Sequence, residues 1–343
     1  MARTARGDVF DPAEVSIFHC INRCVRQCFL CGNDPLTGVN YEHRKDWIEH
    51  RLEFLAGCFG IDVLGFAVLE NHFHVILRNR PDVVKQWSDH EVARRWLMLC
   101  PVTKRPDGSP EIPSPPEIAS IINNVERLRE IRGRLSHISW FMRLVAEPVA
   151  RRANAEDETT GRFWQGRFRA VKLCDEAALL ACAVYVDLNP IRAGICDRPE
   201  DSEHTSANLR IQQHRDAGVE AADWLAPLTL YETQSPGPLP SGQLSRCSDK
   251  GFLSISSEDY LVFLDWTGRQ VAEGKSGSIP ANLAPILVRL GIDANDWFVL
   301  STQFGRLFYR VAGSRPTLAS EASRHRRRWY QAPGGDLLTA TAA

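Results

Sequence analysis

The stretch Ile61-Asp62-Val63-Leu64-Gly65-Phe66-Ala67-Val68-Leu69-Glu70-Asn71-His72-Phe73-His74-Val75-Ile76-Leu77-Arg78 decides how this chain folds. Ile61 to Leu69 and His72 to Arg78 are rich in β-branched and large apolar residues, and only Glu70 and Asn71 separate them. That is the length of a tight hairpin connection, so the stretch reads as two antiparallel strands. Side chains alternate faces along a strand. His72 and His74 therefore project to one side and Phe73 to the other.

Upstream, Val15 to Cys20 reads as a first strand, and Cys28 to Gly38 carries the Gly, Asn, Asp and Pro of a connection. From Tyr41 to Phe59, apolar Trp47, Ile48, Leu52, Phe54, Leu55 and Phe59 recur at helical spacing, and Gly60 stands where a helix would stop. Downstream, Val83 to Leu99 reads as helix and Pro101 to Pro116 as an exposed excursion. Ile118 to Arg152 reads as a long helix broken near Pro148, and Gly161 to Leu173 as a strand rich in Arg and aromatics. Asp175 is suited to cap a helix that runs to Asn189, where Pro190 ends it.

Strand, helix, strand, strand, helices, strand, helix is the order of an α+β layer design, an antiparallel sheet with helices on one face. Residues 1–222 form this main domain, with an insert near 101–116. A Pro-, Gly- and Ser-rich stretch reads as a linker over 223–250, and 251–343 as a smaller accessory domain with a basic tail. Within the latter, Gly251 to Leu264 and Trp297 to Val311 read as β-rich, with a helical piece around Leu283 to Leu290.

At 343 residues the chain can bury a core without staples, and 41 Lys and Arg nearly cancel 42 Asp and Glu. A nucleic-acid surface must then be a local patch rather than a global excess of charge. The N-terminus has basic residues but no apolar run of a targeting signal, and no apolar run reaches membrane-spanning length, so a cytoplasmic location with no membrane partner is expected. Ten cysteines lack a disulfide-like framework, and Cys20, Cys24, Cys28 and Cys31 lack the paired knuckles of a zinc site, so reduced thiols are expected.

Two neutral imidazoles on one strand face can hold a divalent ion, although a pair of surface histidines has the same spacing. Tyr185 and Asn189 lie one helical turn apart on a shared face. In isolation Tyr185 reads as an amphipathic core residue and Asn189 as a helix terminator before Pro190. Together with the histidine pair they make a site. Asn189 adds an amide oxygen to a metal at His72 and His74, and Tyr185 beside it can attack a phosphodiester. The product is a covalent phosphotyrosine that keeps the energy of the cut bond, so another strand end can reverse the step.

Asn71-His72-Phe73-His74-Val75-Ile76-Leu77, Phe163-Trp164-Gln165-Gly166-Arg167-Phe168 and Tyr185-Val186-Asp187-Leu188-Asn189-Pro190-Ile191-Arg192-Ala193-Gly194 resemble the signature blocks of the HUH single-tyrosine transposases. Among these the insertion-sequence and REP-associated tyrosine transposases are the most similar. The resemblance covers roughly residues 12–210. It implies a ferredoxin-like or RRM-like sheet, His72, His74 and Asn189 as metal ligands, Tyr185 as nucleophile, and Mg²⁺ or Mn²⁺ as cofactor. It also implies single-stranded DNA with hairpin ends as substrate and a monomer or homodimer as the working unit. Asp187 departs from the pattern, which more often has His or an aromatic residue there. The insert near 101–116 departs as well.

Arg162, Trp164, Arg167, Arg169 and Lys172 interleave charge with aromatic rings, a mixture suited to phosphate contact and base stacking as well as to a solvated strand face, and Arg192 can meet phosphate or the last carbonyls of its helix. Glu70 reads as a turn residue, with assistance to the metal as the alternative, and His19 and Arg23 as core or surface residues, with lining the site as the alternative. Arg324 to Arg328 with Trp329 and Tyr330 forms a basic, aromatic tail. Two functions fit these residues best: a metal-dependent tyrosine transposase and single-strand DNA endonuclease, or a catalytically silent DNA-binding protein of the same fold. A metallohydrolase with water as attacker fits least, because no carboxylate-rich site stands out to supply its base.

Overall fold

The computed structural model describes residues 10–25, 31–34, 38–105, 110–215, 224–230, 245–273, 284–290 and 292–332. The chain runs β1 (Ile17–Arg23), α1 (Arg44–Cys58), β2 (Ile61–Val68), β3 (His72–Asn79), α2 (Pro81–Gln86), α3 (Asp89–Leu99), α4 (Pro115–Ile122), α5 (Val125–Arg134) and α6 (Ile138–Glu156). It continues with β4 (Arg169–Leu173), α7 (Glu176–Asp187), α8 (Asn189–Arg192), α9 (Ser206–Arg215), α10 (Ser257–Glu273), α11 (Ala284–Arg289), α12 (Ala294–Leu307), β5 (Val311–Ala312) and α13 (Arg315–Arg324). This is an α+β chain. Among the described residues no helix is long and apolar enough to cross a membrane.

The strands form one sheet in the order β2-β3-β1-β4-β5. Pairs among the first four are antiparallel, and β5 joins β4 in parallel. The hairpin from Ile61 to Arg78 forms as its sequence predicts, with Leu69 N–H donating to the His72 carbonyl across the turn. A register shift between Val63 and Gly65 lets β2 continue past a local irregularity.

Strand alternation splits the sheet into two apolar faces. Phe18, Phe66, Phe73, Val75 and Leu77 pack with Leu52 of α1, Trp96 of α3, Ile121 of α4, Ile131 of α5 and Phe141 of α6. Ile76, Val171 and Leu173 pack on the other face with Leu180 and Val184 of α7, Phe263 of α10 and Phe304 of α12. Helices therefore cover both faces, not one as expected. The reason lies in the second half of the chain, whose apolar side chains cover the face that carries Ile76.

Several elements differ from the sequence reading. The long helix over Ile118 to Arg152 is three helices, yet Pro148 does not break α6. Proline removes the donor to the Leu144 carbonyl four residues back, and Arg51 Nε supplies a replacement at 2.8 Å. The strand expected from Gly161 is confined to β4, and α7 ends at Asp187, with Pro190 opening the first turn of α8 instead of closing the helix. Asp175 caps α7 as expected, its carboxylate accepting from Ala178 N–H at 2.9 Å.

The expected β-rich runs over Gly251 to Leu264 and Trp297 to Val311 are largely helical. Tyr260, Phe263, Leu264 and Thr267 recur every three or four residues along the buried side of α10, as do Trp297, Leu300 and Phe304 along α12. Aromatic and β-branched content suggested strand, but the spacing belongs to a helix. Asp293 caps α12 by accepting from the backbone N–H groups of Asn295 and Asp296.

The stretch read as a linker is not solvated throughout. Trp224, Leu225, Ala226 and Leu228 are buried, and Ala226 N–H donates to the Val63 carbonyl. Arg78 and Arg80 form buried ion pairs with Asp62, and hydrogen bonds from Arg78 to the Gly251 carbonyl and from Arg80 to Ser248 Oγ tie 248–251 to the hairpin. From the region read as accessory, β5 extends the sheet and α12 packs on the same apolar face as α7. Of the insert near 101–116, residues 106–109 lie outside the described residues.

Candidate active site

The β1–β3 register places Ile21 opposite His74 and Arg23 opposite His72, and β1–β4 places Arg169 opposite Ile21. His72, His74, Arg23 and Arg169 therefore share one end of one sheet face. His19, two residues before Ile21 on β1, shares that face. Helix α7 crosses it and delivers Tyr185, and the turn into α8 delivers Asn189.

Asn189 Nδ2 lies 2.9 Å from His74 Nε2, and His74 Nδ1 lies 2.7 Å from His19 Nε2. The Tyr185 ring stands edge-on to the His74 ring with centroids 5.8 Å apart. His72 and His74 have ring centroids 4.9 Å apart. Residues separated by 115 positions thus converge on one imidazole.

Burial holds all three histidines neutral. His72 is pushed down to about 4, first by burial and then by the positive charges of Arg23 and Arg192. His19 is pushed down to about 3 by burial, Arg169 and His72. His74 lies well below the ordinary imidazole value, with burial again the main cause. Neutral imidazoles beside arginines form a region that favours anions without carrying charge on the rings.

The amide orientations of Asn71 and Asn189 select one tautomer of each ring. Asn71 Oδ1 can only accept, so His72 Nδ1, 2.6 Å away, carries the proton and Nε2 keeps its lone pair. The Asn189 amide nitrogen can only donate, so His74 Nε2 accepts and its Nδ1–H faces His19. Both rings hold the form that ligates a divalent ion through Nε2, and rotation of the Asn189 amide offers its oxygen as a third donor. The residues fit such an ion through two imidazoles and an amide. Among the described residues no cluster of three or more His, Cys, Asp or Glu does so. Cys20, Cys24 and Cys31 are buried and form no disulfide among the described residues, and Cys28 lies outside the described residues.

Arg192 lies with its guanidinium carbon 4.0 Å over the Tyr185 ring. A Cβ placed on Gly305 of α12 would come within 2.7 Å of the Tyr185 hydroxyl, and the Phe304 ring lies 5.9 Å from that of Tyr185. Tyr185 is 8% exposed. Arg169 reaches the same helix end, donating to the carbonyls of Gly305 and Phe308.

A solved structure of a REP-associated tyrosine transposase bound to a REP hairpin matches this chain. The identity is 11% and the TM-score 0.33, over 62% of this chain and 87% of the other. The likeness is distant. No family model and no curated protein matches the chain.

The remaining sequence-predicted residues divide by their partners. Arg162 and Arg167 are exposed and Arg192 is half-buried. Trp164 packs against Phe73 and Phe163, and its indole N–H donates to the Ala146 carbonyl. Lys172 is buried against Glu321 of α13. As placed, Trp164 and Lys172 face protein, and Arg162, Arg167 and Arg192 remain as the accessible cations of the set. Glu70 is exposed in the hairpin turn, its backbone carbonyl accepting from Cys31 N–H.

Asp187 is explained by the second half of the chain. Its buried carboxylate accepts from Ser206 Oγ and from the Tyr260 hydroxyl of α10. Burial raises its carboxyl above the ordinary range, against the pull of Arg210 and these two donors. Gly305 and Phe304 carried no sequence signal, because their relevance depends on α12 packing over α7.

Proposed function

We propose that this protein is a metal-dependent DNA nuclease and strand transferase of the transposase type, in which Tyr185 attacks a phosphodiester of single-stranded DNA next to a hairpin. One observation carries the proposal: Asn189 meets the His74 ring at 2.9 Å while Tyr185, one turn earlier, stands beside the same ring. The resemblance of the three sequence blocks supports the substrate class. The order β2-β3-β1-β4, antiparallel throughout, supports a ferredoxin-like frame to which β5 is added.

His72, His74 and Asn189 would hold Mg²⁺ or Mn²⁺, which supplies Lewis acidity to the phosphate when bound. Arg192, and Arg23 at the rim, compensate phosphate charge and draw the strand toward the ring of Tyr185. The Tyr185 oxygen forms a bond to phosphorus as its proton leaves to solvent. The bond from phosphorus to one sugar oxygen breaks, and that oxygen takes up a proton and departs as a hydroxyl. Reversal by another strand's hydroxyl joins new ends and frees the tyrosine.

One observation favours a second reading, a DNA-binding protein of this fold that no longer cuts: α12 sits against Tyr185 and leaves little of it exposed. A labelled single-stranded hairpin incubated with the protein and Mn²⁺ separates the two. Under the proposal, label stays with protein on a denaturing gel, and Tyr185→Phe abolishes it. Tight binding without cleavage or adduct selects the second reading.

A further inference from the structure

We infer that His19 is a positioning residue for metal binding, holding His74 in the one tautomer and ring orientation that can ligate an ion, without itself being a ligand. The inference rests on the proposed metal site. His19 is fully buried on β1, two residues before the residue paired with His74, and reaches diagonally across to it. Its Nε2 lies 2.7 Å from His74 Nδ1, and the two rings are nearly coplanar, 16° apart.

The geometry excludes His19 as a ligand through that nitrogen, because Nε2 is committed to His74. It also sets the direction of the hydrogen bond. The Asn189 amide nitrogen donates to His74 Nε2, so the His74 proton sits on Nδ1 and His19 Nε2 accepts it. A neutral His19 must then carry its own proton on Nδ1, and this buried atom has no partner. Nothing on the far side of the His19 ring therefore competes with the bond to His74. An imidazole serves here as the acceptor behind a ligating histidine, where a carboxylate or backbone carbonyl is the common choice.

If instead His19 donated, His74 would be protonated on Nε2, and its lone pair would face the sheet rather than Asn189. No ion could then bind at that ring without a proton moving. The orientation of a single hydrogen bond thus decides whether the site is ready.

The test uses the full-length protein, Mn²⁺ alone as the probe, and calorimetric titration as the readout. Wild type should bind Mn²⁺. His19→Leu should lose about 10- to 100-fold in affinity, the range found when a partner behind a ligating histidine is removed. His19→Gln, whose amide oxygen can reach the position of the imidazole Nε2, should recover most of that loss. The metal-free Tm of His19→Leu should change little, because the variant removes the unpaired His19 Nδ1–H but leaves His74 Nδ1–H without its acceptor. A lower Tm with Mn²⁺ affinity unchanged would mark a merely structural histidine and overturn the inference. Equal Mn²⁺ affinity in His19→Leu and wild type overturns the inference while leaving the metal site standing. Absence of Mn²⁺ binding in wild type overturns both. Should His19→Leu fail to fold, imidazole ¹⁵N shifts of metal-free wild type decide the matter: a proton on His74 Nδ1 is required, and one on Nε2 overturns it.

Discussion

Gly305 lies against the hydroxyl of Tyr185, so close that a Cβ at position 305 would come within 2.7 Å of that oxygen. The contact joins a residue far down the chain to the proposed nucleophile. It makes α12 a wall of the site. Gly305→Ala must push the Tyr185 ring aside, and reacting groups misplaced by about 1 Å can lose about 100-fold in rate. Adduct formation by Gly305→Ala should fall about 10- to 100-fold, with hairpin affinity nearly unchanged. Faster adduct formation would mean that α12 obstructs the tyrosine rather than setting its position.

Arg192 and Lys172 should behave differently toward DNA although both are cations in the motif region. Arg192 is half-buried over the Tyr185 ring, whereas Lys172 is paired with Glu321 in the interior. Each phosphate contact to a single strand contributes about 0.7 to the slope of log affinity against log salt. Arg192→Ala should lower that slope by about this amount. Lys172→Met should leave it unchanged, and equal slopes for Arg192→Ala and wild type would remove Arg192 from the DNA contact.

The histidine cluster predicts a pH dependence of stability in the absence of metal. His19 and His72 fall from an ordinary value of 6.5 to about 3 and about 4, so between these values the unfolded chain binds more protons than the folded one. Their stabilising effect is full above 6.5 and is lost as pH falls toward 4, at roughly 1 kcal/mol per histidine per pH unit. Urea unfolding of wild type and His19→Leu at several pH values between 7 and 4.5 checks this. The difference between them should grow in favour of the variant as pH falls, and a constant difference would contradict the buried, neutral state of His19.

Tyr260→Phe removes one of the two hydroxyls that donate to the buried Asp187 carboxylate. A buried acceptor that loses a partner costs about 1–3 kcal/mol. Urea denaturation should show a loss of that size. No loss would mean that the tie between α10 and the nucleophile's helix is not a stabilising one.

The hairpin of β2 and β3, helix α1 and the Asp175 cap were legible because local pattern decides them: alternation, helical spacing and a capping side chain all act within a few residues. His72, His74, Tyr185 and Asn189 were legible as residue types at set spacings. What joined them was not, because the 2.9 Å contact between Asn189 and His74 depends on how α7 crosses the sheet. Helices α10 and α12 were misread as strands because Trp297, Phe298 and Val299 weigh toward strand by content, while the period that makes them helix emerges only over Trp297, Leu300 and Phe304. The partners of Asp187 and Tyr185 in α10 and α12 were invisible for the same reason: they are tertiary contacts across more than seventy residues.

The central claim is that the oxygen of Tyr185 becomes covalently joined to DNA. Mass spectrometry of protease digests, after reaction of the full-length protein with a single-stranded hairpin and Mn²⁺, reads this bond at residue level. The peptide containing Tyr185 should carry a nucleotide phosphate, lost in Tyr185→Phe. DNA cleaved while that peptide stays unmodified, or a nucleotide attached to another residue, would contradict it.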